Sequence, residues 1–254
     1  DRESFDLSSV RMIICGGSAV PEGLIRGLQR HNLTIVQAWG MTETSPLASI
    51  SKLRKYQEDL PFDEQVRIRA RQGTVVPAVE LRVVDIDSGQ EVPWDNKTFG
   101  ELQVRGPWIA RAYYRDSESS EKFAHGWLRT GDVAVVDEDG TIQLVDRTKD
   151  VVKSGGEWIS SVELEGLIMG HPKVLEACVI GVPHPKWSER PVAYVVEKPE
   201  QVGKVSKEEI IEYLTPRVAK WWLPDDVIFI EAVPKTSVGK FDKKVLRADF
   251  ARKA

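Results

Sequence analysis

The chain has 254 residues, 41% of them hydrophobic and 29% charged, with a formal net charge of −4. That is the composition of a globular protein with material for one large core or two smaller ones, and its acidic balance excludes a general attraction to nucleic acid or to an anionic membrane surface. No run approaches the roughly 18 apolar residues of a membrane span, the opening DRESFDLSSV lacks the apolar middle of a signal peptide, and a cytoplasmic location is the default expectation.

The first element is an apolar, β-branched run from Val10 to Cys15, broken by Gly16-Gly17-Ser18-Ala19 and followed by the amphipathic run PEGLIRGLQR after Pro21. This predicts strand, glycine loop and helix. Ile35 to Ala38 is a second short strand, and it runs into Trp39-Gly40-Met41-Thr42-Glu43-Thr44-Ser45-Pro46, where Gly and Pro predict a loop at the strand end. The charged stretch Lys52 to Gln72 predicts a surface helix and linker. Strand character then recurs at Val79–Val84, Gly100–Arg105, Val133–Val136 and Thr141–Val145, the last two joined by the hairpin turn Asp137-Glu138-Asp139-Gly140. A small, mostly antiparallel β unit is expected over about residues 73–146.

Asp146-Arg147-Thr148-Lys149-Asp150 is a charged break that predicts a hinge or linker. Beyond it, Ser160 with Glu163 and Ser206 with Glu209 have capping-box spacing and open two helices, the first ended by Gly170. Strands are expected at Val174–Val182, Val192–Val196 and Val227–Ile230, which makes a compact α+β domain of residues 148–254. Cys15 and Cys178 each lie in an apolar run (MIIC, ACVIGV), which predicts two buried thiols; with four scattered histidines they form no metal-ligand cluster.

Several residues have the chemistry of a site, each beside a plainer alternative. The backbone of the loop Gly17-Ser18-Ala19 permits close approach of a nucleotide, or it is a simple turn. Thr42 offers a hydroxyl to a phosphate, Glu43 a carboxylate to Mg²⁺ and Trp39 an aromatic face to a base, or the pair is solvated beside a core tryptophan. Asp132, in Thr130-Gly131-Asp132, can accept both hydroxyls of a ribose, or it is a surface carboxylate. Lys153-Ser154-Gly155-Gly156-Glu157-Trp158 reads as a flexible loop beside which a thin ligand can pass. Pro234-Lys235-Thr236-Ser237-Val238-Gly239-Lys240 is no Walker loop, because position 234 is Pro and position 241 is Phe. Lys240 is then a solvated lysine or a cation delivered by a mobile loop.

The ordered series GGSAVP, QAWGMTETSP, GELQVRGPWIARAYYRD, GWLRTGDVAVVDEDGTIQLVDRTKDVVKSGGEWISSVELE and PKTSVGKFDKKVLR resembles the adenylate-forming (AMP-binding) superfamily, and within it the medium- and long-chain fatty acyl-CoA synthetases. The resemblance implies an α/β fold for residues 1–147, the C-terminal portion of a large AMP-binding domain, followed by a small mobile α+β lid in residues 148–254. It implies ATP, Mg²⁺ and CoA, and a fatty acid as the acid activated, with association of like chains left open. Gly17, Ser18, Ala19, Trp39 and Gly40 would hold adenine, Thr42 the α-phosphate and Glu43 the metal. Asp132 and Arg147 would bind the ribose, Lys149 would be the hinge, and Lys240 the catalytic cation. Lys153, Gly155, Gly156 and Trp158 would line the CoA channel. The family's Ser/Thr/Gly-rich phosphate loop ending in Pro-Lys-Gly is absent from the sequence, so a partial synthetase is expected, with exposed apolar sheet edges in residues 1–72. Two other readings remain: an adenylating enzyme for another acid or acceptor thiol, and a non-catalytic nucleotide-binding or interaction module. A basic C-terminal nucleic-acid binder finds no aromatic interleaving to support it.

Overall fold

β1 (Ile13–Gly16) turns Ile13 and Cys15 toward a small core and leaves Ile14 exposed, the period-two pattern of a strand with one covered face. The computed structural model describes residues 5–253 apart from Ser18, Glu118 and Val238, and the chain divides into two compact units, 1–144 and 145–254.

In the first unit, α1 (Glu22–Gln29) follows β1, and β2 (Ile35–Trp39) lies parallel to β1 with Ile13 opposite Ile35 and Gly16 opposite Ala38. β3 (Ser49–Ile50), α2 (Phe62–Arg69) and β4 (Thr74–Val75) complete a sheet of order β1-β2-β3-β4. α1 and α2 each start after a proline, whose fixed φ and missing N–H suit a helix entrance. α2 carries Asp63 and Glu64 in its first turn and Arg67 and Arg69 in its last, the arrangement the helix dipole favours. Val20, Ile25, Ile35 and Val66 form the core between these helices and the sheet. Because β1 is an edge strand, Cys15 is half-buried, and the expectation of two buried thiols holds for Cys178 alone.

The antiparallel sheet follows: β5 (Glu80–Val84), β6 (Gly100–Arg105), α3 (Ser119–Lys122), β7 (Phe123–Ala124), β8 (Trp127–Val136) and β9 (Ile142–Arg147), ordered β5-β6-β8-β7 with β9 on β8. Two boundaries differ from the sequence expectation. Thr74 and Val75 pair with β3 of the other sheet, so the antiparallel unit begins near residue 80, and β9 continues through Asp146 and Arg147. Asp146 is buried there, its Oδ2 accepting from the amide and hydroxyl of Ser161 at 2.6 Å each, which is what carries the strand beyond Val145. Val83, Leu102, Val104, Leu128, Ala134 and Val136 make the core, which Trp39 of β2 and Ala48 before β3 join.

The second unit is a sheet covered on both faces. β10 (Val152–Ser154) and β11 (Glu157–Ile159) precede α4 (Ser161–Met169), β12 (Val174–His184), β13 (Ser188–Glu197), α5 (Lys207–Leu214), β14 (Asp226–Phe229) and α6 (Lys243–Lys253). Along β12, Ala177 and Val179 pack with Leu164, Ile168, Ile210 and Leu214 of α4 and α5, while Cys178, Ile180 and Val182 pack on the other face with Leu246 and Phe250 of α6. Two covered faces explain why β12 and β13 read as nearly continuous apolar runs. Ser160 and Ser206 cap α4 and α5, each accepting from the amide three residues on, Glu163 and Glu209, at 3.1 and 3.2 Å.

One expectation fails here. The stretch Lys153–Trp158 is no flexible loop but the β10–β11 hairpin, in which Ser154 pairs with Glu157 and Gly155 and Gly156 fill a two-residue turn at φ +62° and +89°. Paired positive φ is what that turn demands, and glycine supplies it without strain. The basic C-terminal stretch contains α6, with Leu246 buried. Among the described residues no helix is long and apolar enough to cross a membrane.

Candidate functional site

In the first unit, β1 and β2 run parallel and end side by side, so the loops Gly17–Ala19 and Gly40–Glu43 leave the same sheet edge. Carboxyl ends of parallel strands are where open α/β sheets place ligands. Ser18 lies outside the described residues. Gly17 has φ +87°, a left-handed conformation that glycine tolerates, and open space around the position of a Cβ. Beyond Ala19 the backbone is tied down, the amide of Val20 donating to the buried Gln37 Oε1 at 3.1 Å.

The second loop is fixed by its own side chains. Thr44 is buried; its hydroxyl accepts from the Met41 amide at 2.8 Å and lies 2.7 Å from the Pro46 carbonyl, to which it donates. Gly40 passes so close to that carbonyl that a Cβ would fall 1.8 Å from it, so only glycine fits. The result is a 3-10 turn, Thr42–Thr44, that presents the Thr42 hydroxyl to solvent and the Glu43 carboxylate beside it. Trp39, at the end of β2, is buried, and its indole Nε1 donates to Asp132 Oδ2 at 3.0 Å. Asp132 is buried as well, and the Thr130 hydroxyl that accepts from its amide at 3.1 Å donates to the Leu102 carbonyl at 2.6 Å. Trp39, Gly40, Thr42, Glu43 and Asp132 are therefore brought together by β2 and β8.

One partner of this group was not legible in the sequence. Tyr113 donates its hydroxyl to Glu43 Oε1 from 70 residues away, and the amide of Ala110 donates to the Glu43 carbonyl at 2.8 Å. The hydrogen bond to the carboxylate pushes the phenol up to about 12, so Tyr113 stays protonated as the donor at neutral pH. A cleft of about 670 Å³ lies nearby in the same unit, floored by Ile109 and Phe123 and edged by Glu80, Arg105 and Trp127; none of the expected nucleotide residues lines it.

Oxygen donors alone occur at this turn, the hydroxyl of Thr42 and the carboxylate of Glu43, and among the described residues no cluster of three or more metal-ligating side chains exists. A single carboxylate suits a hard cation such as Mg²⁺ that takes its remaining ligands from substrate phosphates and water.

In the second unit, Arg147 is the last residue of β9, and the amides of Asp150 and Val151 both donate to its carbonyl at 2.9 Å, closing a turn that contains Lys149. Lys149 is exposed, its carbonyl accepting from Arg247 of α6 at 2.9 Å. In the β10–β11 hairpin Lys153 faces Trp158 across the strands, its ammonium 5.3 Å from the ring centroid. Gly155 lies against Trp187, where a Cβ would approach the indole to 2.8 Å, and its amide donates to the Trp187 carbonyl at 2.8 Å. Gly156 has open space at its Cβ position. Lys240 sits in a tight turn in which the Thr236 amide donates to the Lys240 carbonyl at 2.7 Å and the Lys240 amide to Thr236 Oγ1 at 3.2 Å. Its side chain is exposed and, among the described residues, its ammonium has no hydrogen-bond or ion-pair partner. Lys235, by contrast, is paired with Glu176 at 2.6 Å. Burial pushes the Cys178 thiol up to about 12, which removes it as a nucleophile.

Residues 1–114 match the AMP-binding enzyme family, and residues 163–240 match the AMP-binding enzyme C-terminal domain. The chain is 45% identical over 247 residues to the long-chain-fatty-acid–CoA ligase of Thermus thermophilus, covering 96% of the chain and 45% of that protein. It is 42% identical over 245 residues to the 3-methylmercaptopropionyl-CoA ligase of Ruegeria lacuscaerulensis, with coverage of 96% and 45%. Among solved structures, the o-succinylbenzoate CoA synthetase of Bacillus subtilis, in complex with its acyl-adenylate intermediate, superposes with a TM-score of 0.79 at 29% identity over 95% of the chain and 46% of that structure. The chain thus spans a little under half the length of the relatives it matches. With both family domains matched in order on this fold, the chain belongs to the AMP-binding, adenylate-forming enzymes.

Proposed function

We propose that the protein is an AMP-forming CoA ligase that activates a fatty acid with ATP and transfers the acyl group to CoA. The observation that carries this reading is the Thr42–Thr44 turn at the end of β2, with an exposed hydroxyl and a carboxylate beside the Trp39–Asp132 pair. In the first half-reaction a carboxylate oxygen of the acid attacks the α-phosphorus, the bond to the β-phosphate oxygen breaks in line, and pyrophosphate leaves. The backbone at Gly17–Ala19 with Trp39 and Gly40 takes adenine, and Asp132 with Arg147 takes the ribose. The Thr42 hydroxyl donates to an α-phosphate oxygen, and Lys240 offsets the charge that develops on the carboxylate and phosphate oxygens. Glu43 holds Mg²⁺, which when bound screens the phosphates' negative charge.

In the second half-reaction the CoA thiolate attacks the acyl carbonyl and AMP departs. Lys149 is the hinge about which the C-terminal residues swing between the two steps. Lys153, Gly155, Gly156 and Trp158 border the pantetheine path, Gly156 leaving room where a side chain would intrude. A cytoplasmic setting fits the water-soluble substrates ATP and CoA.

The test is acid-dependent exchange of pyrophosphate into ATP by the full-length gene product, with short-, medium- and long-chain fatty acids and 3-methylmercaptopropionate as the acids. Exchange with the longer fatty acids supports the proposal, exchange with 3-methylmercaptopropionate alone moves the substrate to another acid, and no exchange with any acid favours a non-catalytic nucleotide-binding module.

A further inference from the structure

Glu43 is held at two points by one short segment. The Ala110 amide fixes its backbone carbonyl at 2.8 Å, and the Tyr113 hydroxyl fixes its Oε1. That segment is braced in turn: the Tyr113 amide donates to the buried Ser119 Oγ at 2.6 Å, and the Tyr113 ring meets Phe123 edge-on with centroids 5.2 Å apart. The phenol is thus delivered from a fastened loop. A glutamate on a surface turn otherwise samples several staggered rotamers, whereas a charge-assisted hydrogen bond from a fixed donor selects one. The bond uses one of the roughly four lone-pair directions of the carboxylate and leaves the others for a cation. Carboxylates that ligate metals are commonly oriented by such partners, whose loss costs metal affinity.

We infer that Tyr113 is a positioning residue that orients the Glu43 carboxylate toward the divalent cation of the bound nucleotide complex. The inference rests on the reading of Glu43 as the carboxylate that holds this cation. Tyr113 itself touches neither nucleotide nor acid in this role.

The experiment is a Mn²⁺ titration, followed by electron paramagnetic resonance, of the full-length protein with a non-hydrolysable ATP analogue, comparing wild type with Tyr113→Phe and Glu43→Gln. Tyr113→Phe keeps the ring against Phe123 and removes only the hydroxyl; a matching melting midpoint verifies the fold. The expected result is Mn²⁺ affinity about tenfold weaker in Tyr113→Phe, the scale on which partners of metal ligands act, and weaker still in Glu43→Gln. The Mg²⁺ requirement of pyrophosphate exchange should shift in parallel, with no matching loss in thioester formation from supplied acyl adenylate. Wild-type Mn²⁺ affinity in Tyr113→Phe, with affinity lost in Glu43→Gln, overturns the role of Tyr113 alone. Wild-type affinity in Glu43→Gln removes the reading of Glu43 and the inference with it. Equal losses in both half-reactions of Tyr113→Phe also overturn it, because that is the signature of a packing role.

Discussion

The indole N–H of Trp39 and the carboxylate of Asp132 meet at 3.0 Å across 93 residues of sequence, both buried, where the end of β2 meets β8 of the antiparallel sheet. Trp39 packs in the same core as Leu102 and Leu128, so the bond joins the Gly40–Glu43 loop to the β unit that carries Asp132. Trp39→Phe keeps an aromatic ring but withdraws the donor from a buried carboxylate. It should lower stability by about 1–3 kcal/mol, the cost of leaving a buried polar group short of a partner, and weaken AMP binding. Urea denaturation and AMP titration measure the two; unchanged stability would show that Asp132 is satisfied without the indole.

The second unit contains a buried ionic cluster whose removal has a calculable sign. Lys243 of α6 lies 2.7 Å from Glu165 of α4 and donates to Ser161 Oγ at 2.5 Å, while Glu165 Oε1 also accepts from the Val179 amide at 2.8 Å. Burial raises the Glu165 carboxyl, and the Lys243 cation acts against that rise. Lys243→Met should destabilise by about 3–5 kcal/mol because it leaves the carboxylate buried without its cation. Adding Glu165→Leu should recover a large part of that loss. A double-mutant cycle in denaturant tests it, and strictly additive losses would mean that the pair is not coupled.

His171 gives the unit a pH dependence. Burial lowers its basicity most, against the opposing pull of Glu209, whose Oε1 lies 3.4 Å from Nε2; Lys173, Arg217 and Lys198 add to the lowering. A folded-state value below the unfolded one, about 6.5, means that the unfolded chain takes up the proton first. The contribution is fully present above about pH 6.5 and is lost as pH falls toward the folded value. Stability measured at pH 7.5 and 5.5 should therefore fall more in wild type than in His171→Leu. Equal pH slopes for the two proteins would contradict this.

The exposed ammonium of Lys240 leads to a kinetic prediction. Lys240→Ala in the full-length protein should suppress pyrophosphate exchange by at least about a hundredfold, within the range for losing one charge-stabilising donor. Thioester formation from supplied acyl adenylate should change far less. Equal loss in both half-reactions would contradict the role assigned to this lysine.

Periodicity and capping make most of the elements legible in the sequence. Ser160 and Ser206 marked the starts of α4 and α5, and the long apolar runs marked β12 and β13, because these are local signals carried by neighbouring residues. The Gly155-Gly156 hairpin reads as a flexible loop in the sequence, since two glycines permit a tight turn and a flexible loop alike until strand pairing decides. α6 was missed because its charged residues outweigh Val245, Leu246 and Phe250, the apolar positions of its run; Leu246 and Phe250 pack against β12 and β13.

The ordered motifs placed the chain in its family and named Thr42, Glu43, Asp132 and Lys240 as the residues to examine, because the chemistry of a side chain is written in its identity. Tertiary structure alone decided that Tyr113 reaches Glu43, that Trp39 reaches Asp132, and that Lys243 meets Ser161 across 82 residues. Such pairs depend on which strands and helices become neighbours when the core closes, and that is a property of the packed chain as a whole.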